Sequence, residues 1–210
     1  MSQSSNSVSA GLSLTAIRRF YFYAVALISL IAGLGAMDGL LAVLSDIWVG
    51  GGGTAVGATD YWRNVVARNG GLLLVATPVF LLHWGYIQRR LIDVDERHAG
   101  LRKLFLYGAS GVAIGFAAVR GYDLLASAGY LTLGGALVTS QTLYGTWPHL
   151  IAMSAAGLAL TAYFQHILRE DGDYGEETTW AGTVRRLFLT ILGLAGLVLV
   201  ILGSARMLEA

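Results

Sequence analysis

Apolar residues gather along this chain in five long blocks, about residues 20–45, 64–88, 104–128, 147–168 and 187–208, separated by short polar segments. A transmembrane helix needs about 20 predominantly apolar residues, and every block reaches that length. The pattern predicts an all-α fold: a polytopic membrane helix bundle of five transmembrane helices. The second block contains Pro78, which removes one backbone hydrogen bond and is expected to kink its helix. The fourth opens at Thr146-Trp147-Pro148, a capping hydroxyl followed by a proline where a first turn tolerates one. Between the first two lies Trp48-Val49-Gly50-Gly51-Gly52-Gly53-Thr54, which reads as a flexible exposed loop.

Three of the blocks share an opening. Ile17-Arg18-Arg19-Phe20-Tyr21-Phe22-Tyr23, Leu101-Arg102-Lys103-Leu104-Phe105-Leu106-Tyr107 and Val184-Arg185-Arg186-Leu187-Phe188-Leu189-Thr190 each place two cations before an aromatic and aliphatic run. Recurrence at nearly constant spacing reads as an internal repeat. The chain divides into a polar N-terminal tail (1–16), repeat 1 with helices one and two (17–100), repeat 2 with helices three and four (101–183) and a partial repeat 3 with helix five (184–210). Tyr86-Ile87-Gln88-Arg89 and Tyr163-Phe164-Gln165-His166 echo one another more weakly, and each precedes an acidic loop. A unit of two spans re-enters the membrane in the same direction each time, so these are parallel internal repeats of two helices. Inverted repeats, the common transporter plan, need an odd number of spans per unit.

Hydrophobic residues make up 55% of the 210 and charged ones 13%, roughly half the share in soluble domains. With a mean hydropathy of +0.62, bilayer is the expected solvent. The net charge of +1 and the absence of a basic tract exclude a nucleic-acid partner; the absence of cysteine excludes disulfides and thiolate chemistry. Residues 1–14 lack the basic segment of a secretory signal, so the N-terminus is expected to remain. Ten of the 14 Lys and Arg residues flank one set of helix ends and four (Arg63, Arg68, Arg120 and Arg206) fall towards the other. The positive-inside rule then predicts a cytoplasmic N-terminus and an external C-terminus.

The run Arg18-Arg19-Phe20-Tyr21-Phe22-Tyr23, then Leu82-His83-Trp84, then Glu96-Arg97 and Leu101-Arg102-Lys103-Leu104-Phe105-Leu106-Tyr107 resembles a family of bacterial multi-pass membrane proteins catalogued only as a domain of unknown function. The order of these motifs carries the resemblance over about residues 17–135. It implies a multi-pass fold and supplies no activity. The last copy departs from the pattern with Thr190 in place of a tyrosine.

Polar residues inside the blocks are the candidates for chemistry. If Tyr21, Tyr23 and Tyr107 mark the inner interface, Asp38 and Arg120 lie about 20 Å deep at 1.5 Å per residue. Arg68, Asn69, His149 and Arg206 reach a similar level, so every helix offers a polar group to the outer third of the bilayer. One arrangement has these groups snorkelling to headgroups. The other is a paired cluster, Asp38 and Asp123 neutralising Arg68 and Arg120. On the insertion scale helix three gains roughly 2–4 kcal/mol from its aliphatic residues before Arg120 and Asp123, against roughly 5–7 kcal/mol for two charges. Gly108, Gly111 and Gly115 give it a small-residue face for helix packing, so it is expected to be the most protein-enclosed of the five.

His83 and His166 are the candidate cofactor ligands, because membrane haem is held by histidines on facing helices. A lone histidine beside a tryptophan is more simply a belt residue with a satisfied hydrogen bond. Asp93-Val94-Asp95 and Asp171-Gly172-Asp173 offer hard oxygen ligands for a divalent cation, but in basic loops such carboxylates usually balance arginines. Trp180 is expected on a short interfacial turn. No catalytic motif is present, and no metal or cofactor is otherwise called for. The sequence favours a non-enzymatic scaffold or accessory subunit associating through small-residue faces, with membrane lipid and either a homo-oligomer or other membrane subunits as partners. A carrier or channel for a small anion or lipid headgroup, and a haem-bearing electron-transfer subunit, are the alternatives.

Overall fold

The computed structural model describes residues 3–49, 58–89, 100–133, 140–172 and 179–209. Among these there are five helices and no strand: α1 (Gln3–Trp48), α2 (Ala58–Arg89), α3 (Gly100–Leu133), α4 (Ser140–Gly172) and α5 (Thr179–Glu209). Four stretches are long and apolar enough to cross a membrane: Ile17–Trp48, Asp60–Arg89, Gly100–Gly129 and Trp147–Gly172.

The helices outrun the apolar blocks at their ends. Once a membrane helix is nucleated, each added residue contributes a hydrogen bond without a new nucleation cost. Thus α1 runs through most of the polar stretch read as a tail, starting at Gln3. The fourth helix likewise begins at Ser140, not at the Thr146 cap, and carries Pro148 in its interior. Trp180, expected on a turn, belongs to the first turn of α5. Pro78 lies inside α2, where its missing N–H leaves one carbonyl of the preceding turn without its helical donor. The Gly50-to-Thr54 loop lies outside the described residues.

In lipid the apolar side chains gain nothing from leaving water, so close packing and internal hydrogen bonds hold helices together. α1 packs along α2, and α3 along α4; α1 also touches α3 and α4, and α5 packs on α3. Their common core joins Tyr23, Ala26, Leu30 and Leu34 of α1 to Trp84 and Ile87 of α2, Phe105, Leu106 and Ala109 of α3, and Phe164 and Ile167 of α4. Trp84 is at its centre, with ring centroids 5.3 Å from Phe105 and 6.0 Å from Phe164. Aromatic contacts of this kind contribute about 0.5–1.5 kcal/mol each.

The indole of Trp84 donates to the Tyr163 hydroxyl at 2.9 Å, tying α2 to α4. Trp84→Phe keeps much of the ring packing and removes that donor. A loss of about 0.6–1 kcal/mol is expected in detergent unfolding, with helix content unchanged by far-UV circular dichroism.

Two ring contacts match. Tyr23 meets Phe105 at 5.4 Å and 43°, and Tyr107 meets Phe188 at 5.1 Å and 36°. In each case the seventh residue of one Arg-led heptapeptide touches the fifth residue of the next.

Candidate functional site

One ion cluster forms within the spans. The Arg120 guanidinium of α3 donates to both oxygens of Asp38 on α1, at 2.8 Å from Nε and 2.5 Å from Nη2. Its Nη1 donates to Asp123 at 2.9 Å, one turn further along α3. This uses the side-on fork by which a guanidinium holds a carboxylate most firmly. The side chains are 28%, 15% and 40% exposed for Arg120, Asp38 and Asp123, so the cluster lies at the edge of the bundle and not in its centre. Its formal charge is −1.

The neighbouring turns bring further polar groups close. Asn69 of α2 is buried, and its amide lies against Gly39, the residue after Asp38; a Cβ at Gly39 would collide with it. Ser154 of α4 faces Gly121, beside Arg120. Elsewhere the hydroxyls of Ser29, Ser127 and Thr161 donate to carbonyls of their own helices, at Val25, Asp123 and Gly157, as polar groups in lipid must.

The seven polar residues singled out by depth therefore separate. Asp38, Arg120 and Asp123 form the cluster and Asn69 adjoins it. His149 is buried on α4. Arg68 is exposed on α2, so both carboxylates are satisfied by Arg120 and the expected sharing with Arg68 does not occur. The side chain of Arg206 lies outside the described residues. Arg120→Met would leave two carboxylates facing one another. With the partial exposure counted against it, a destabilisation of about 2 kcal/mol is expected, and Asp38→Asn in the same chain should return part of that loss; detergent titration of the folded fraction reads both.

A second ion pair had no signal of its own in the sequence. Arg102, fully buried at the start of α3, donates from Nε to Asp171 at the end of α4 at 2.7 Å and from Nη2 at 3.3 Å; Asp171 is 4% exposed. Arg102 reads as one of many interfacial cations and Asp171 as a loop acid. Only their places at matching ends of consecutive antiparallel helices link them. Engagement with Arg102 also takes Asp171 away from a cation site, while Asp93, Asp95 and Asp173 lie outside the described residues.

The packing glycines also divide. Gly108 faces Leu27 of α1, and Gly111 faces the Phe188 ring of α5. Gly115 departs from the expected face: it is exposed, with open space where a Cβ would stand. The closest seam lies elsewhere. A Cβ on Gly157 of α4 would stand 2.7 Å from the Ala113 carbonyl and 2.9 Å from Ala117, so α4 is seated directly on the α3 backbone. Over an 18-residue apolar stretch of each span, 33% of residues are buried in α3, against 28% in α1 and α4 and 11% in α2.

His83 packs against Tyr21 and Phe22, and its Nδ1 donates to the Val79 carbonyl at 2.8 Å. His166 is 70% exposed and faces Glu170 at 3.4 Å. The two rings thus engage different neighbours. No group of three or more potential metal ligands occurs among the described residues.

No curated protein and no solved structure matches the chain. Most of α1, all of α2 with its Leu-His-Trp end, and all of α3 with its opening at Arg102 fall within residues 19–146, which match one family over more than half the sequence. The chain belongs to the family described as Domain of unknown function (DUF5671).

Proposed function

We propose that this chain is a non-enzymatic integral membrane protein, a scaffold or accessory subunit whose role is helix packing. The carrying observation is that the fork of Arg120 is already spent on Asp38 and Asp123. A solute anion arriving at Arg120 would meet two carboxylates, which speaks against the anion carrier. Reconstitution into proteoliposomes tests this: no chloride or phosphate flux above empty vesicles is expected, and saturable flux abolished by Arg120→Met would overturn the reading.

The same proposal includes five crossings, with the N-terminus cytoplasmic and the C-terminus external in a bacterial inner membrane. The bias of Lys and Arg supports the orientation. The matched Tyr23–Phe105 and Tyr107–Phe188 contacts support two parallel two-helix units followed by a single helix. Because the chain has no cysteine, introduced ones report sidedness cleanly. Gly52→Cys should react with an impermeant maleimide on intact cells and Asp95→Cys only after permeabilisation; the reverse pattern would overturn the topology.

A further inference from the structure

We infer that the seam between the start of the α1 span and the end of α2 binds an anionic phospholipid, its phosphodiester held between Arg18 and Arg89. This goes beyond the scaffold reading and does not depend on it.

Three contacts fix how the two helices lie. Phe22 stacks on Tyr86 with ring centroids 4.2 Å apart, a Cβ at Gly33 would stand 3.8 Å from Ala76, and Gly39 abuts Asn69. Each step forward along α1 is matched by a nearly equal step back along α2, so the pair is antiparallel in constant register. Carried one turn outward from Phe22, that register brings Arg18 level with Arg89 at the end of α2. Arg18 precedes Phe22 by four residues and Arg89 follows Tyr86 by three, spacings that keep each arginine on the helix face that carries the ring. Because the rings face one another, the two guanidiniums stand on opposite sides of the mouth of the seam. Both residues are exposed, and neither pairs with a carboxylate among the described residues.

The other helix pair treats the same position differently. Arg102, the counterpart of Arg18 in the shared opening, is fully buried against Asp171. There the protein supplies its own anion and closes the site. At the α1–α2 seam the second helix ends in another cation, so two like charges meet and the countercharge comes from outside the chain.

The surface below the arginines identifies the occupant. Inward from Arg18 come Phe20 and Tyr21, 63% and 55% exposed, and one turn inward from Tyr86 comes Leu82, 72% exposed. Leu82, Tyr86 and Arg89 form one row at i, i+4 and i+7. A cationic mouth above an open apolar row fits an amphiphile, with phosphate between the guanidiniums and an acyl chain along Tyr21 and Leu82. Interfacial aromatics sit at the headgroup level, and guanidinium forks hold phosphate through paired N–H donors. A zwitterionic headgroup would bring its ammonium up to two cations, whereas a glycerol headgroup brings no opposing charge.

Native mass spectrometry of the detergent-purified full chain, titrated with dioleoylphosphatidylglycerol, dioleoylphosphatidylethanolamine or inorganic phosphate, tests this. One phosphatidylglycerol is expected to be retained about tenfold more tightly than phosphatidylethanolamine, and inorganic phosphate should not displace it. Arg18→Gln and Arg89→Gln should each weaken that retention about fivefold. Arg186→Gln, which removes an exposed cation at the start of α5, should leave it unchanged. Near-UV circular dichroism checks that the variants fold, and the comparison of lipids on the unaltered chain needs no variant. Equal retention of the two lipids, displacement by inorganic phosphate, or an equal loss in Arg186→Gln would each overturn the site. A polypeptide, a second copy of this chain included, that crosslinks to positions 18 and 89 in place of lipid would overturn it as well. The flux measurement bears on the scaffold reading alone.

Discussion

Arg102→Leu is expected to destabilise the bundle by about 3–5 kcal/mol, the largest effect of any single substitution considered for this chain. Arg102 is fully buried and its partner Asp171 is 4% exposed, so water screens the pair little. Removing the guanidinium strands a carboxylate between α3 and α4, with the hydrogen bonds to its two oxygens gone. The cost comes mainly from that stranded charge and only secondarily from the lost attraction. The double variant Arg102→Leu/Asp171→Leu should accordingly be more stable than Arg102→Leu alone, because two apolar side chains replace a desolvated ion pair. Detergent-induced unfolding of both variants, followed by near-UV circular dichroism, measures the difference. Equal losses in single and double variants would mean that the pair contributes through packing and not through charge.

Gly157→Leu should cost about 3 kcal/mol, at the upper end of overpacking penalties. The atoms that a side chain would meet there are the Ala113 carbonyl, the Ala117 backbone nitrogen and the Ala117 methyl. None of them can swing aside as a flexible side chain can, so α3 and α4 must separate. Gly115→Leu is the internal control: it points into open space and should cost less than about 1 kcal/mol. Separation of the two helices should also lengthen the Gln165–Ser110 contact, which a spin-label pair across that seam would detect as a distance increase. Tolerance of leucine at 157 combined with intolerance at 115 would reverse the assignment of the packing face.

These two residues also show what was legible beforehand. The helices could be read because an uninterrupted apolar run has few other solutions in lipid. Their ends could not, since a membrane helix continues through serine-rich sequence and even through Pro148 once its spanning part is formed. Arg120 and Asp123 could be paired from their spacing alone, being three apart on one helix. The addition of Asp38 required knowing how α1 is rotated towards α3. Gly157 illustrates the harder case. The chain contains 28 glycines, and spacing selects the Gly108, Gly111 and Gly115 stripe. Which glycine touches backbone depends on the rotation of both helices, and no local pattern encodes that.

The ion pairs also bear on how the molecule is made. Arg102 and Asp171 are 69 residues apart, and Asp38 and Arg120 82. At about 5–20 residues per second, the earlier member of each pair waits roughly 3–16 s on the ribosome before its counter-ion is synthesised. During that interval Asp38 has entered the bilayer with α1 while Arg120 does not yet exist. Early crossings must therefore be held near the insertion machinery, or near headgroups that lend a charge, until α3 and α4 arrive. Slowing translation downstream of α1 should prolong this exposed stage and increase degradation of nascent chains.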